Sequence, residues 1–385
     1  MKLTYFIDSL SYKGGAERII SEKMNYLSAL DGYEVSVITC YQFPDTMPNS
    51  YYLSDRVRQI NLCIPAHRQY QYSYPKRFWV KWHYHRMLRS KLQEAVDAID
   101  PDILTGVSYS LGDVVCRVRC RGAIVIESHE ARFFTASDLL YKQTSNLSKT
   151  FTKFYRSTYL RTIEKYADTV VTLTESDALE WRKAKRVVTI PNFSSMPISR
   201  LSDGNSKRII AVGRFEWQKG YDRLTAIWRI VSDTHPDWQL DIYGEGSLKN
   251  EFVNSVKENG LRNVAVHDFT TNISEKYAES SICILTSRFE GFSLVLLEAL
   301  RHGLPCVTFN CPFGPGEVVD DNRCGYVVED GNIGSFAERL CSLMDSHETR
   351  KLFAAAAIEK AKVYDKDAIM DKWISFYKSM TKGKH

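Results

Sequence analysis

The feature that most constrains this chain is an alternation that runs from end to end. Short apolar runs rich in β-formers are each followed by a stretch with helical periodicity. Candidate strands fall at 3–8, 34–40, 57–63, 102–107, 123–128, 169–173 and 187–190, then at 208–213, 238–243, 263–267, 281–286 and 305–309. Such alternation builds βαβ units, and these build parallel sheets buried on both faces. The pattern breaks once. Pro191-Asn192, Pro197 and the polar run Ser202-Asp203-Gly204-Asn205-Ser206-Lys207 read as an interdomain linker. A fresh strand then opens at Lys207-Arg208-Ile209-Ile210-Ala211-Val212-Gly213. With 385 residues the chain is too long for one ordinary core. The expectation is α/β: two Rossmann-like, doubly wound domains facing a cleft, over 1–195 and 196–364. A last helical segment within 365–385 either stays with the second domain or crosses back to the first. In open sheets of this kind ligands bind beyond the carboxyl ends of the strands.

Composition narrows the function classes. A hydrophobic fraction of 44% and a charged fraction of 25% are those of a soluble globular protein. The net charge of +5 is too mild to call for nucleic acid, and no nucleic-acid partner is expected. The start, Met1-Lys2-Leu3-Thr4-Tyr5-Phe6-Ile7-Asp8, has too short an apolar run for a signal peptide. No stretch approaches the ~20 apolar residues of a membrane span, so a cytoplasmic location is expected. Nine cysteines are scattered without a CxxC pair. Cys116 and Cys120 would share a helix face, but no Cys/His pattern completes a zinc site, and no metal site is expected.

The densest chemical signal is Ser287-Arg288-Phe289-Glu290-Gly291-Phe292-Ser293-Leu294-Val295-Leu296-Leu297-Glu298. It follows a candidate strand. Ser293 is placed to cap a helix over Leu294–His302, which Gly303 and Pro305 stop. Glu290 then lies in the loop and Glu298 inside the helix, facing one region about a turn apart. The N–H groups at that helix start, from Gly291 to Leu294, suit a diphosphate. Carboxylates suit sugar or ribose hydroxyls. On spacing alone, a solvated loop glutamate and a surface helix glutamate fit as well.

Other candidates stand at strand ends. Gly14-Gly15 sits at a strand-to-helix turn, where backbone N–H groups can approach a ligand; a plain tight turn is the alternative. It is neither GxGxxG nor a P-loop. Arg214 and Lys219 offer a planar fork and a point charge for a diphosphate, or are simply solvated. His129, with Glu130 and Arg132 nearby, ends the strand at 123–128, where a structural histidine is the ordinary reading. Gly244 and Gly246 shape a loop through the backbone, as do Gly314 and Gly316.

In order along nearly the whole chain, these segments resemble the retaining glycosyltransferases of family 4, which have the GT-B fold. The resemblance is carried by Glu290…Glu298 within TSRFEGFSLVLLEAL, by Gly14-Gly15-Ala16-Glu17-Arg18, by Ile190-Pro191-Asn192, by Val212-Gly213-Arg214 with Lys219-Gly220, by Ile242-Tyr243-Gly244-Glu245-Gly246, and by Cys311-Pro312-Phe313-Gly314-Pro315-Gly316-Glu317. It implies a nucleotide-sugar donor, with a UDP-sugar the first choice. Glu290 and His129 would act at the sugar, Glu298 at the ribose, and Arg214 and Lys219 at the diphosphate. Gly15 would face the distal phosphate and sugar, and Gly244 the nucleotide. The resemblance implies no metal and no resident cofactor. The SRFEG and Gly-Pro-x-Glu forms are similar to bacterial enzymes of capsule, exopolysaccharide or O-antigen assembly, whose acceptors are growing, often polyprenyl-diphosphate-linked, glycans. A nucleotide-sugar epimerase or hydrolase on the same fold and a non-catalytic glycan- or membrane-binding scaffold are the rival readings. A phosphorylase-like reading lacks context for a pyridoxal phosphate lysine.

Residues 67–91 hold seven Lys/Arg and no Asp or Glu, interleaved with aromatics. Lys76, Arg77, Trp79, Lys81 and Trp82 suit an anionic membrane surface or the acceptor. The stripe Leu88, Leu92, Ala95 and Ile99 suits an ordinary core helix. A peripheral position on the inner face of the cytoplasmic membrane is expected.

Overall fold

The computed structural model describes residues 1–65, 68, 71–73, 76–107, 111–129, 132 and 146–381, with the side chains of Phe78 and of residues 146–155 outside the description. It divides into two units, Met1–Ile190 with Met370–His385, and Pro191–Ile369.

The first unit is built on a parallel sheet of β1 (Lys2–Ile7), β2 (Glu34–Thr39), β3 (Val57–Asn61), β4 (Ile103–Gly106), β5 (Ala123–Ser128), β6 (Thr169–Thr172) and β7 (Val187–Thr189). The strand order is β3-β2-β1-β4-β5-β6-β7, so it reverses between β1 and β4. The second unit is a parallel sheet of β8 (Arg208–Val212), β9 (Gln239–Tyr243), β10 (Val264–His267), β11 (Ile282–Leu285), β12 (Cys306–Asn310) and β13 (Gly325–Glu329). Its order is β10-β9-β8-β11-β12-β13, and it reverses between β8 and β11. Both are doubly wound sheets, and each reversal opens a crevice at the strands' carboxyl ends.

Apolar strand runs explain this architecture. Most residues of β1, β2, β4, β5 and β11 are buried, as strands covered on both faces must be. Phe6, Ile38, Leu104 and Ile126 anchor one core. Ile209, Trp228, Ile242, Ile284 and Phe309 anchor the other. The helix Lys76–Ile99 turns Leu88, Leu92, Val96 and Ile99 into the first core. Ala95 packs against the same core half-buried, and Val96, buried beside it, is added to the expected stripe.

Three features differ from the sequence expectation. Strand β13 was not anticipated; it pairs with β12 from Cys306↔Gly325 to Asn310↔Glu329 and closes the sheet edge. The segment 191–207 is not a free linker, and the unit boundary falls after Ile190 rather than at 195. Its serines tie it to the second unit. Ser202 Oγ and Ser206 Oγ donate to the backbone oxygens of Ser280 and Glu279, and Arg301 reaches Ser194 Oγ and the Met196 carbonyl. The chain returns to the first unit at Met370, inside the helix Lys366–Thr381, rather than at 365. That helix buries Met370, Trp373, Phe376 and Tyr377 in the first unit, where the Tyr377 and Tyr5 hydroxyls meet at 2.7 Å.

Candidate functional site

In the second unit the loops after β8 and β11 flank the point where strand order reverses, and they are laced together. Arg288 N donates to Gln218 O at 2.7 Å, Thr286 Oγ1 to Lys219 O at 3.0 Å and Gln218 Nε2 to Phe289 O at 3.1 Å. The Arg288 guanidinium grips the Trp217 carbonyl and both oxygens of Asp222, and lies 4.8 Å from the Trp217 ring centroid. Gly220 makes this close approach feasible. Its φ is +66°, and a Cβ there would lie 2.3 Å from Thr286 O.

This lacing brings Lys219 to Glu290. Lys219 Nζ donates to Glu290 Oε1 at 2.7 Å, with side chains only 14% and 8% exposed. Ser287 Oγ donates to the same oxygen at 2.6 Å. Lys219 is thus engaged by a carboxylate. Arg214 is exposed. Glu290 also acts on its surroundings: burial pushes up the Tyr221 hydroxyl and the Cys311 thiol, and the Glu290 charge adds to both. Ser293 caps the helix Leu294–Arg301, its side chain accepting from Leu296 N. Phe292 is buried, edge-on to Tyr364 at 5.5 Å, while Gly291 and Leu294 are half-buried.

Glu298 is not a surface glutamate. It is buried, Tyr277 Oη donates to its Oε2 at 3.3 Å, and the His302 ring lies 5.2 Å from that of Tyr277. His302 Nδ1 in turn donates to the Glu298 carbonyl at 2.7 Å. Tyr277 and His302 were missed in the sequence, because nothing local marks a tyrosine 21 residues upstream as a carboxylate's donor.

The 311–317 loop packs over this site. A Cβ on Gly314 would lie 3.5 Å from Glu290 Cβ and 3.4 Å from Phe292 Cα. Phe313 and Gly314 have φ of +64° and +102°, an uncommon conformation for an aromatic residue. Gly244 is held against the end of the neighbouring strand. A Cβ there would fall 1.9 Å from Gly213 O, so its bareness admits a neighbouring strand end. Gly246 is alike, against the Phe215 backbone.

In the first unit Gly14 is the N-cap of the helix Gly15–Ser28, with ordinary φ of −99°, and Gly15 is exposed. His129 lies just past β5 and is buried, with Nε2 3.2 Å from Glu127 Oε2. Glu127 also accepts from Lys23 at 2.5 Å. Neither Lys23 nor Glu127 was singled out from sequence; a charge inside an apolar strand was the available signal. Glu130 lies outside the described residues. Arg132 pairs with Glu164 at 2.7 Å, and its N–H donates to Asp177. Burial pushes the Asp177 carboxyl up to about 6, against hydrogen bonds from Arg132 N, Ser128 and Trp181.

At the start of the helix Lys76–Ile99, Trp79 and Trp82 are 64% and 51% exposed and meet edge-to-face at 6.3 Å. Lys76 is exposed, whereas Arg77 and Lys81 are half-buried. No described helix is long and apolar enough to cross a membrane. Among the described residues no group of three or more His, Cys, Asp or Glu is gathered for a metal ion.

Comparison with known proteins accounts for both units. A model of Glycosyltransferase Family 4 matches residues 13–194, and one of Glycosyl transferases group 1 matches residues 194–360. An uncharacterized glycosyltransferase of Haemophilus influenzae is 28% identical over 384 residues, covering 97% of this chain and 98% of that protein. The amylovoran biosynthesis glycosyltransferase AmsD of Erwinia amylovora is 34% identical over 218 residues, covering 54% of this chain and 61% of AmsD. A mutant of Staphylococcus aureus TarM, solved with Fondaparinux, alpha-GlcNAc-glycerol and UDP, superposes with a TM-score of 0.77 at 14% identity, covering 98% of this chain and 99% of that one. The fold is GT-B, and with the two models together spanning residues 13–360 the chain belongs to the glycosyltransferases of family 4 and group 1.

Proposed function

We propose that the chain is a retaining glycosyltransferase that moves a hexose or N-acetylhexosamine from a UDP-sugar to a growing surface-polysaccharide or polyprenyl-diphosphate-linked glycan. The observation that carries this reading is the Lys219–Glu290 contact where the second sheet reverses, next to the capped start of the helix Leu294–Arg301. Doubly wound sheets receive ligands at that point, and a helix start favours phosphate.

In this reading Lys219, exposed Arg214 and the N–H groups from Gly291 to Leu294 take the diphosphate. Glu290 accepts from the sugar hydroxyls. Glu298, oriented by Tyr277, accepts from the ribose. Gly244 shapes the nucleotide end of the site. Gly15 and His129 contribute to sugar binding from the first unit's own strand ends. The acceptor hydroxyl attacks the anomeric carbon on the face from which the diphosphate leaves. The carbon–phosphate-oxygen bond breaks as the new glycosidic bond forms, and the departing phosphate oxygen takes the hydroxyl proton. Such a step depends on positioning and on positive charge at the leaving group. Lys219 and Arg214 supply that charge, so no metal or resident cofactor is invoked. The UDP bound to TarM supports the choice of nucleotide, and the role of AmsD in amylovoran biosynthesis supports the acceptor class. Trp79 and Trp82, flanked by Lys76, Arg77 and Lys81, would place the enzyme on the inner face of the cytoplasmic membrane.

The test is product stereochemistry. Transfer from UDP-hexoses, followed by NMR of the new anomeric centre, should give retention and should continue in excess chelator. An inverted product refutes the mechanism. Loss in chelator that added metal rescues refutes the metal-free part.

A further inference from the structure

The first unit buries a lysine that the reaction above does not use. Lys23, on the helix Gly15–Ser28, is 1% exposed, and its ammonium donates to Glu127 Oε1 at 2.5 Å. The other oxygen of Glu127 meets His129 Nε2 at 3.2 Å. Glu127 lies in β5 and His129 just past its end, and this contact brings the two side chains together. On its far side Lys23 is covered by aromatic rings. Its Nζ lies 3.6 Å from the Trp373 ring centroid and 5.1 Å from that of Tyr5. Trp373 comes from the returning helix Lys366–Thr381, so the network joins the chain's last helix to His129.

Burial draws the Lys23 ammonium below its ordinary value, against the attraction of Glu127. For Glu127, burial alone would push the carboxyl up. The Lys23 charge and the His129 hydrogen bond outweigh it and hold the carboxyl below the usual range. Packing does not account for such a pair, since apolar residues of similar volume are often as stable or more so. A fixed acceptor for one ring nitrogen is what the pair supplies and apolar packing cannot. An ionised carboxylate only accepts, so Nε2 carries the proton and Nδ1 is left to address a bound molecule.

We propose that Lys23 and Trp373 are positioning residues that hold Glu127 as a fixed anionic acceptor, and that Glu127 sets the tautomer and orientation of His129 for contact with a hydroxyl of the donor sugar. The sugar contact rests on the function proposed above. The locking of the ring does not.

Two readouts on the full-length protein test this. In protein labelled with 15N-histidine, His129→Gln identifies the His129 resonances. At about pH 8.5, where an ordinary imidazole is neutral, wild type should show the Nε2–H tautomer alone. The variant Lys23→Met/Glu127→Gln removes both charges at nearly constant volume. It should melt close to wild type, show mixed tautomers, and lose about 10- to 100-fold in kcat with little change in acceptor KM. Lys23→Met alone should melt lower, because it strands Glu127. Trp373→Leu should also bring mixed tautomers. An Nδ1–H tautomer in wild type, or an unchanged tautomer in the double variant or in Trp373→Leu, overturns the proposal. So does full activity in the double variant, which would make the pair purely structural. Should wild type transfer no sugar at all, the function proposal fails while the tautomer readout still decides the positioning.

Discussion

Replacing Lys219 with Met should destabilise the second unit and stop the reaction, and restoring neutrality at Glu290 should rescue only the first defect. Lys219 and Glu290 are 2.7 Å apart with side chains 14% and 8% exposed. Removing one partner of a fully buried pair costs about 3–5 kcal/mol. Here Ser287 still donates to Glu290, and some solvent reaches Lys219. About 2–3 kcal/mol is therefore expected for Lys219→Met and about the same for Glu290→Gln. For a unit of this size that is a fall of roughly 5–10 °C in Tm. In Lys219→Met/Glu290→Gln neither charge is stranded, and the coupling recovered should be about 2 kcal/mol. Urea unfolding of all four proteins gives the cycle. Transfer should nevertheless stay about 100-fold or more below wild type in the double variant, because the charge opposite the leaving group is gone. An additive cycle would show that the two side chains do not interact. Near-normal transfer in the double variant would remove the pair from the reaction.

Asp177 provides a pH test. Its carboxyl is raised in the folded state from 3.8 to about 6, so the native state holds the proton more tightly than the unfolded chain. Its contribution to stability must fall as pH rises from about 4 to 6 and stay flat above, by up to about 3 kcal/mol in total. The difference in unfolding free energy between wild type and Asp177→Asn should track that window; a pH-independent difference refutes it. Gly244→Ala should cost about 2–3 kcal/mol, because its Cβ would meet Gly213 O at 1.9 Å. Gly334→Ala, whose nearest contact would be 4.0 Å away, should be neutral or stabilising, and denaturant titration of both checks the contrast. Removing the charges of Lys76, Arg77 and Lys81 should weaken sedimentation with anionic liposomes at low salt, and Trp79→Ser/Trp82→Ser should weaken it at any salt. Unchanged binding in both would reject the membrane surface.

The parallel sheets were legible because buried strands are short apolar runs, and β5 and β11 stand out as such. β13 was not, since Gly325-Tyr326-Val327-Val328-Glu329 is an edge strand with a polar end and a glycine start. The run Ser202–Lys207 looked like a linker because it is polar. Its hydroxyls are instead spent on the backbone oxygens of Ser280 and Glu279, which composition does not reveal. Glu290 and Glu298 could be singled out by spacing and resemblance. Their burial and their partners, Lys219 and Tyr277, depend on strand order. Lys23 and Glu127 lie 104 residues apart and meet only because the helix after β1 packs near the end of β5.

The central claim, that the second unit's strand reversal holds a nucleotide-sugar for transfer, is tested most directly by a donor screen scored by nucleotide release. Purified wild type and Glu290→Gln would be offered UDP-, GDP- and ADP-sugars with polyprenyl-linked and soluble glycan acceptors. Acceptor-dependent release of UDP from one UDP-sugar by wild type, and its loss in Glu290→Gln, is the expected result. Release that needs no acceptor, release that persists in Glu290→Gln, or no release from any donor would contradict it.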